Sequence, residues 1–227
     1  MFDLYIANKN YSSWSLRPWV LMRELGIGFN EKFLPFAEAG QPSRFTDFSP
    51  TGKVPCLMDG TTTVWDSLAI IEYVAEQFPM VWPRDTKARA WARCASAEMH
   101  SGFGALRDVC SMNCGIRVRI PTFPAAVLRD VARIDALWSE GLSRFGGPFL
   151  AGARFTAVDA FFAPVAFRIQ TFSPPISATS AQYVARLLGL ASMQSWYQAA
   201  LLEPWREIAH ERETLQHGTL LQDLRTG

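Results

Sequence analysis

Two residues, Asp59-Gly60, constrain the fold of this chain more than any others. Asp-Gly between two β-prone runs is a tight hairpin signal, and strands joined by so short a turn run antiparallel. The run before the turn holds Val54, Cys56 and Leu57. The run after it, Thr61 to Trp65, is rich in β-branched residues. Pro55 stands where the first run begins. Proline cannot donate to a ladder, so it implies an edge, a bulge or a cis bond that turns the backbone outward. With its N–H and C=O exposed, Val54 would be able to pair with an extended peptide as an added strand. A plain proline at the start of a strand is the simpler reading.

The residues ahead of the hairpin alternate strand and helix. Phe2 to Ala7 is a short apolar run that reads as a strand. Leu16, Trp19, Val20 and Leu25 then recur at helical spacing, stopped by Gly26. Between them, Asn10 to Trp19 places three serines, Ser12, Ser13 and Ser15, where the strand hands over to the helix. Ser15 is read as the N-cap, with Pro18 in the first turn, where a missing N–H costs little. Hydroxyls and free N–H groups at a helix N-terminus either cap the helix or receive an anion. Phe29 to Phe36 reads as a second strand, with Phe29, Phe33 and Leu34 buried. Ala37 to Pro50, with Gly40, Pro42 and Pro50, reads as a loop carrying a short, weak helix. After the hairpin, Asp66-Ser67 opens a helix with Leu68, Ile71, Val74, Ala75 and Phe78 at helical spacing. The carboxylate and hydroxyl either cap that helix or take the ammonium and carboxylate of a ligand.

The first eighty residues therefore read β-α-β-α-β-β-α. Pro79 to Asp85 breaks the pattern with two prolines. Residues 1–79 are expected to form one domain, 80–86 a linker and 87–227 an all-α domain with no strand. A long helix is expected from Ala88 to about Met112. A second runs from Pro124 to Arg144, with Ala125, Leu128, Val131, Ile134, Ala136, Leu137 and Leu142 as its apolar positions, and stops at Gly146-Gly147-Pro148. Thr156 and Asp159 form a capping box with Phe155 as its staple. The nearly all-apolar run from Ala160 to Ile169 should be the buried central helix. Two more helices are expected at Ser180 to Leu190 and Ser192 to Leu202. The polar tail after Pro204 is expected to lie over the surface.

Charge narrows the partners. The formal net charge is +1, so no field draws in nucleic acid. No apolar run approaches a membrane span, and no basic segment precedes the apolar run at Met1 to Leu4, so neither a membrane partner nor a secretory signal is expected. Cys56, Cys94, Cys110 and Cys114 are expected as reduced cytoplasmic thiols. The Cys110/Cys114 pair lacks a histidine-rich partner segment, so no metal is expected. A nucleophile elbow G-x-S-x-G is absent, which argues against a serine hydrolase.

The order of these parts resembles the cytosolic glutathione transferases: a thioredoxin-like β-α-β-α-β-β-α domain with a proline-started third strand, then an all-helical domain. Ser12-Ser13-Trp14-Ser15-Leu16-Arg17 is similar to the S-S-C-S-x-R signature of the zeta class, with Trp14 in place of the cysteine. Lys53-Val54-Pro55 resembles the V-P element, whose proline is cis in that family. Asp66-Ser67 resembles its Glu/Gln-Ser pair, and Thr156 to Asp159 its sixth-helix capping motif. The resemblance implies glutathione as co-substrate. Ser12 would activate the thiol, with Ser13 beside it; Val54 would pair with the cysteinyl backbone. Asp66 and Ser67 would hold the γ-glutamyl end, and Lys53 the glycyl carboxylate. It also implies a homodimer and a small hydrophobic electrophile, taken between the Ser12–Trp14 loop and a helix carrying Met99, Phe103, Leu106, Arg107 and Cys110. Trp14 departs from the family in bulk, and Asp66 in length. A glutathione-binding protein without catalysis is the alternative.

Overall fold

A computed structural model describes residues 1–37 and 41–226; Gly40, expected in the loop after the second strand, lies outside the described residues. Strands β1 (Phe2–Ile6), β2 (Phe29–Phe33), β3 (Cys56–Asp59) and β4 (Thr62–Trp65) form one sheet in the order β2-β1-β3-β4. β1 and β2 are parallel, joined by the crossover helix α1 (Ser13–Glu24); β3 is antiparallel to β1 and to β4. The hairpin forms as expected: Asp59 pairs with Thr62, and Gly60 takes the left-handed φ of 58° that the turn demands. The Val54–Pro55 bond is cis. β2 stops at Phe33, three residues short of expectation; Phe29, Phe33 and Leu34 are only half-buried. The short helix in the following loop is a 3-10 turn at Arg44–Asp47, capped by Ser43. Helix α2 (Ser67–Gln77) closes the unit.

The second unit departs from expectation in four places. The long helix is two: α3 (Thr86–Ser101) and α4 (Gly104–Val109). Between them Phe103 adopts φ 61°, and the Arg107 guanidinium donates to the carbonyls of Met99 and Gly102, satisfying the end of α3. Helix α5 (Ala125–Phe145) buries Val127, Val131, Ile134, Leu137 and Trp138, while Ala125, Leu128 and Ala136 face outward. Its first helical residue follows Pro124, and Gly146 in the left-handed region ends it. A strand, β5 (Ile116–Arg119), pairs antiparallel with β6 (Thr219–Asp223), so this unit holds a two-stranded ribbon beside its helices. Finally, the tail after Pro204 is structured, with helix α9 (Ile208–Leu215) ahead of β6.

The central helix is α6 (Ala157–Phe172), buried without a break from Phe155 to Arg168. Its capping box is formed as read. The Asp159 carboxylate accepts from Thr156 N at 2.9 Å, Leu150 N at 3.0 Å and the Tyr183 hydroxyl at 2.8 Å. Helices α7 (Ala178–Leu188) and α8 (Ala191–Leu202) complete the bundle. Among the described residues no helix is long and apolar enough to cross a membrane.

With the Thr156 hydroxyl, which donates to it at 3.3 Å, Asp159 thus anchors four buried donors. Asp159→Ala strands them and should destabilise the fold by roughly 2–4 kcal/mol. Asp159→Asn, which keeps one acceptor oxygen, should cost about half as much. Denaturant unfolding checks this; an alanine variant within 1 kcal/mol of the parent, on the order of a surface change, contradicts it.

Candidate functional site

The site is built around the start of α1. The chain reverses at Asn8, whose carbonyl accepts from the N–H groups of Tyr11 and Ser12, so the helix begins at Ser13 with Ser12 as N-cap. Expectation placed the N-cap at Ser15 and Pro18 in the first turn. Instead Ser15 is inside the helix, its Oγ 3.4 Å from Ala7 N, and Pro18 is interior. The Ser12 hydroxyl donates to Ser15 Oγ at 2.7 Å and makes no capping bond. The backbone N–H groups of Trp14 and Ser15 therefore have no partner among the described residues. The start of a helix is left with free donors beside two buried hydroxyls, Ser12 and Ser13.

Two cavities meet at this point. The first, about 440 Å³, is lined by Trp14, Val54, Pro55, Asp66 and Ser67, with Lys53 at its side. Val54 makes no backbone hydrogen bond among the described residues, as an added-strand site requires. Ser67 is fully buried at the first position of α2, and among the described residues its Oγ has no partner. Asp66 caps α2 through Leu68 N at 2.8 Å, in a conformation of φ 73° and ψ 137° that L-residues rarely take. Such strain costs about 1–3 kcal/mol and gathers at functional positions. The second cavity, about 520 Å³, is lined by Ser12, Ser13, Phe45, Arg107, Arg168 and His210 among others. Trp14, Lys53 and Val54 border both. The six residues read as glutathione contacts, Ser12, Ser13, Lys53, Val54, Asp66 and Ser67, thus fall on one or other of two adjoining cavities.

Of the five helix residues expected to line the second cavity, Met99, Phe103, Leu106, Arg107 and Cys110, only Arg107 does so. Met99, Leu106 and Cys110 are core, and Phe103 is buried at the helix break. Burial pushes the Cys110 thiol up to about 12 and raises those of Cys56 and Cys114 as well, so these thiols stay protonated. Among the described residues no cluster of His, Cys, Asp or Glu has the grouping of a metal site.

Sequence reading missed Arg168, His210 and the clasp that the tail forms. Glu203 accepts from Lys9 N at 2.7 Å, Asn10 Nδ2 donates to Ala200 O at 2.6 Å, and the Tyr11 hydroxyl donates to Glu211 at 2.5 Å. Arg225 pairs with Glu211 and Asp223. The tail therefore holds the Lys9–Tyr11 loop that leads into α1, and brings His210 to the cavity wall. A lone charge in the apolar run from Ala160 to Ile169 is the signal that points to Arg168; nothing in the polar tail singles out His210.

His100, on α3, lies 3.5 Å from Asp66 and edge-on to Trp14. Burial, with the Arg17 and Arg107 charges nearby, holds its pKa below the ordinary histidine value despite Asp66. Since the unfolded chain binds that proton more readily, the His100 contribution to stability is present above about pH 6.5 and is lost as pH falls through the lower folded value. Unfolding free energies measured from pH 7.5 to 5 should decline, and His100→Asn should flatten the decline; an unchanged slope in the variant contradicts the assignment.

Residues 11–77 match the family model "Glutathione S-transferase, N-terminal domain", and residues 119–199 match "Glutathione S-transferase, C-terminal domain"; together they cover well over half of the chain. The chain is 23% identical to Glutathione S-transferase-like protein OpS6 of Beauveria bassiana, over 75% of this chain and 80% of that one. It is 28% identical to Glutathione S-transferase T1 of Arabidopsis thaliana, over 53% of this chain and 55% of that one. Among solved structures, a glutathione transferase homologue from Burkholderia with bound glutathione superposes with a TM-score of 0.66 at 22% identity, covering 88% of this chain and 97% of the other. The theta-class enzyme of Xanthomonas axonopodis pv. citri with glutathione bound gives 0.63 at 21% identity, over 86% and 96%. At these identities the structural likeness speaks for the fold.

Proposed function

Because the chain belongs to the glutathione S-transferase family, we propose that it is a serine-type member, in which the start of α1 activates the glutathione thiol for attack on a small electrophile. The observation that carries the reading is the uncapped N-terminus of α1, with free N–H groups and two hydroxyls where the two cavities meet.

Glutathione would lie across that junction. Ser67, with an unpartnered hydroxyl at the start of α2, suits the γ-glutamyl carboxylate, and Asp66 its ammonium. Val54 pairs with the cysteinyl backbone as an added strand, and Lys53 meets the glycyl carboxylate as a point charge. The thiol then reaches the Ser12–Ser13 corner and faces the second cavity, where the electrophile sits.

A free thiol titrates near 8.5, so only a few per cent is thiolate at neutral pH. Lowering that value by roughly two units takes about 2.7 kcal/mol, within reach of two charge-assisted hydrogen bonds. Ser12 supplies one by turning its proton from Ser15 Oγ to the sulfur; the helix N-terminus adds its field. The same reading includes a cytoplasmic homodimer, a division into residues 1–79 and 87–227 about a linker at 80–86, and a first-helix signature of zeta type with Trp14 in place of the thiol.

Ser12→Ala should bind glutathione with similar affinity and lose about 10–100-fold in kcat, the value of one hydrogen bond to a charged group. Ser67→Ala should weaken glutathione binding with a smaller effect on kcat. Steady-state kinetics with a nitroaryl halide, beside calorimetric titration of glutathione, separate the two. Full turnover in Ser12→Ala overturns the serine assignment.

A further inference from the structure

The second cavity carries more positive charge than a site for a purely hydrophobic electrophile needs. Arg168 is 5% exposed, and among the described residues its Nε has no hydrogen-bond partner. Its Nη1 donates to the Cys110 carbonyl, and Nη2 lies 3.5 Å from Ser13 Oγ. Arg107 is held in the same manner by the carbonyls of Met99 and Gly102, with its guanidinium 4.9 Å from the Trp14 ring centroid. A third arginine, Arg17, is fully buried behind the site. Its guanidinium lies 3.9 Å from the Trp14 ring centroid, and among the described residues none of its three nitrogens has a hydrogen-bond partner.

Among the described residues none of the three arginines forms an ion pair. Asp108 and Glu213 line the same cavity, but both are exposed and neither bonds Arg107 or Arg168. Backbone carbonyls fix where the Arg107 and Arg168 guanidinium groups sit; Asp108, Asp130 and Glu213 act on them only through space, and no carboxylate among the described residues pairs with them directly. A buried cation without a hydrogen-bonded carboxylate is costly, and a bound anion lowers that cost. Burial and mutual repulsion depress the Arg168 pKa to about 10, which still leaves it charged at neutral pH. The same cavity has an aromatic wall: His210 stacks between Tyr11, at 5.2 Å, and Phe36, at 5.1 Å.

We propose that the electrophile of this enzyme is a planar, conjugated molecule bearing a carboxylate, which Arg107 and Arg168 receive while the aromatic wall takes the ring. A guanidinium fork matches a carboxylate in two parallel hydrogen bonds, and both arginines have donors free for it. This inference rests on the transferase reading for its chemistry, though not for its binding. In the reaction the glutathione sulfur forms a bond to the electrophilic carbon. For an aryl halide the carbon–halogen bond then breaks, halide leaves with the electron pair, and the thiol proton passes to solvent.

The matched probes are 4-chloro-3,5-dinitrobenzoate and its methyl ester, which differ only in the charge. Binding of each to the full chain without glutathione, followed by tryptophan fluorescence, should favour the acid at least about tenfold, the worth of one such charge-assisted contact. With glutathione present, kcat/KM should favour the acid in the same direction. Arg107→Gln should bring both ratios toward one, and Arg168→Lys, which keeps the charge and loses the fork, should narrow them. An ester that binds as well as the acid, or an acid preference that survives Arg107→Gln, overturns the inference. Preferential binding of the acid without thiol consumption would uphold it and overturn the transferase reading instead.

Discussion

The site depends on where α1 starts and on what buries it. Ser15 to Met22 is buried without a break, with the sheet on one side and α6 on the other. A helix so enclosed cannot slide, because any shift exposes Leu16, Trp19 or Val20 or drives them into neighbours at close-packed density. Its N-terminus is therefore fixed at the seam between the two units. The first turn of every helix has donors without partners; here they are left over beside two hydroxyls, since the Ser12 side chain is turned to Ser15. An anion at this point gains fixed dipoles that need no rearrangement to receive it, which is how a protein favours a thiolate over a thiol.

Around that point the chain spends its buried polar groups on position. Glu203, Asn10, Trp196 and Glu211 tie the loop ahead of α1 to the last third of the chain. Arg107 and Arg168 close the ends of α3 and α4, and the same bonds plant two cations in the second cavity. One set of contacts thus serves folding and recognition together. The helix break at Gly102–Phe103 is the local consequence: a continuous helix would carry Arg107 past the carbonyls that hold it.

Much of this was legible in the sequence where a local rule and the global fold agree. The Asp59-Gly60 hairpin, the proline before β3, the Thr156–Asp159 box and the apolar α6 each follow from short-range chemistry that packing reinforces. The residues read as ligand contacts, Ser12, Ser13, Lys53, Val54, Asp66 and Ser67, all border the two cavities. What failed did so where the folded backbone or a distant partner, not residue type, decides. The N-cap moved from Ser15 to Ser12 because the Asn8 carbonyl captures two N–H groups and starts the helix early. The ribbon of β5 and β6 joins segments about a hundred residues apart, so neither strand advertises itself alone. The tail reads as polar surface because its buried groups are charges matched across the chain, as Arg225 is by Glu211 and Asp223.

The most direct test of the account is the ultraviolet absorbance of the thiolate of bound glutathione, titrated across pH. The account predicts a bound thiol pKa roughly two units below the ordinary value of about 8.5, moving back toward it in Ser12→Ala. Saturating binding with an unshifted thiol would contradict it, because the helix start and its serines would then hold the ligand without acting on the sulfur.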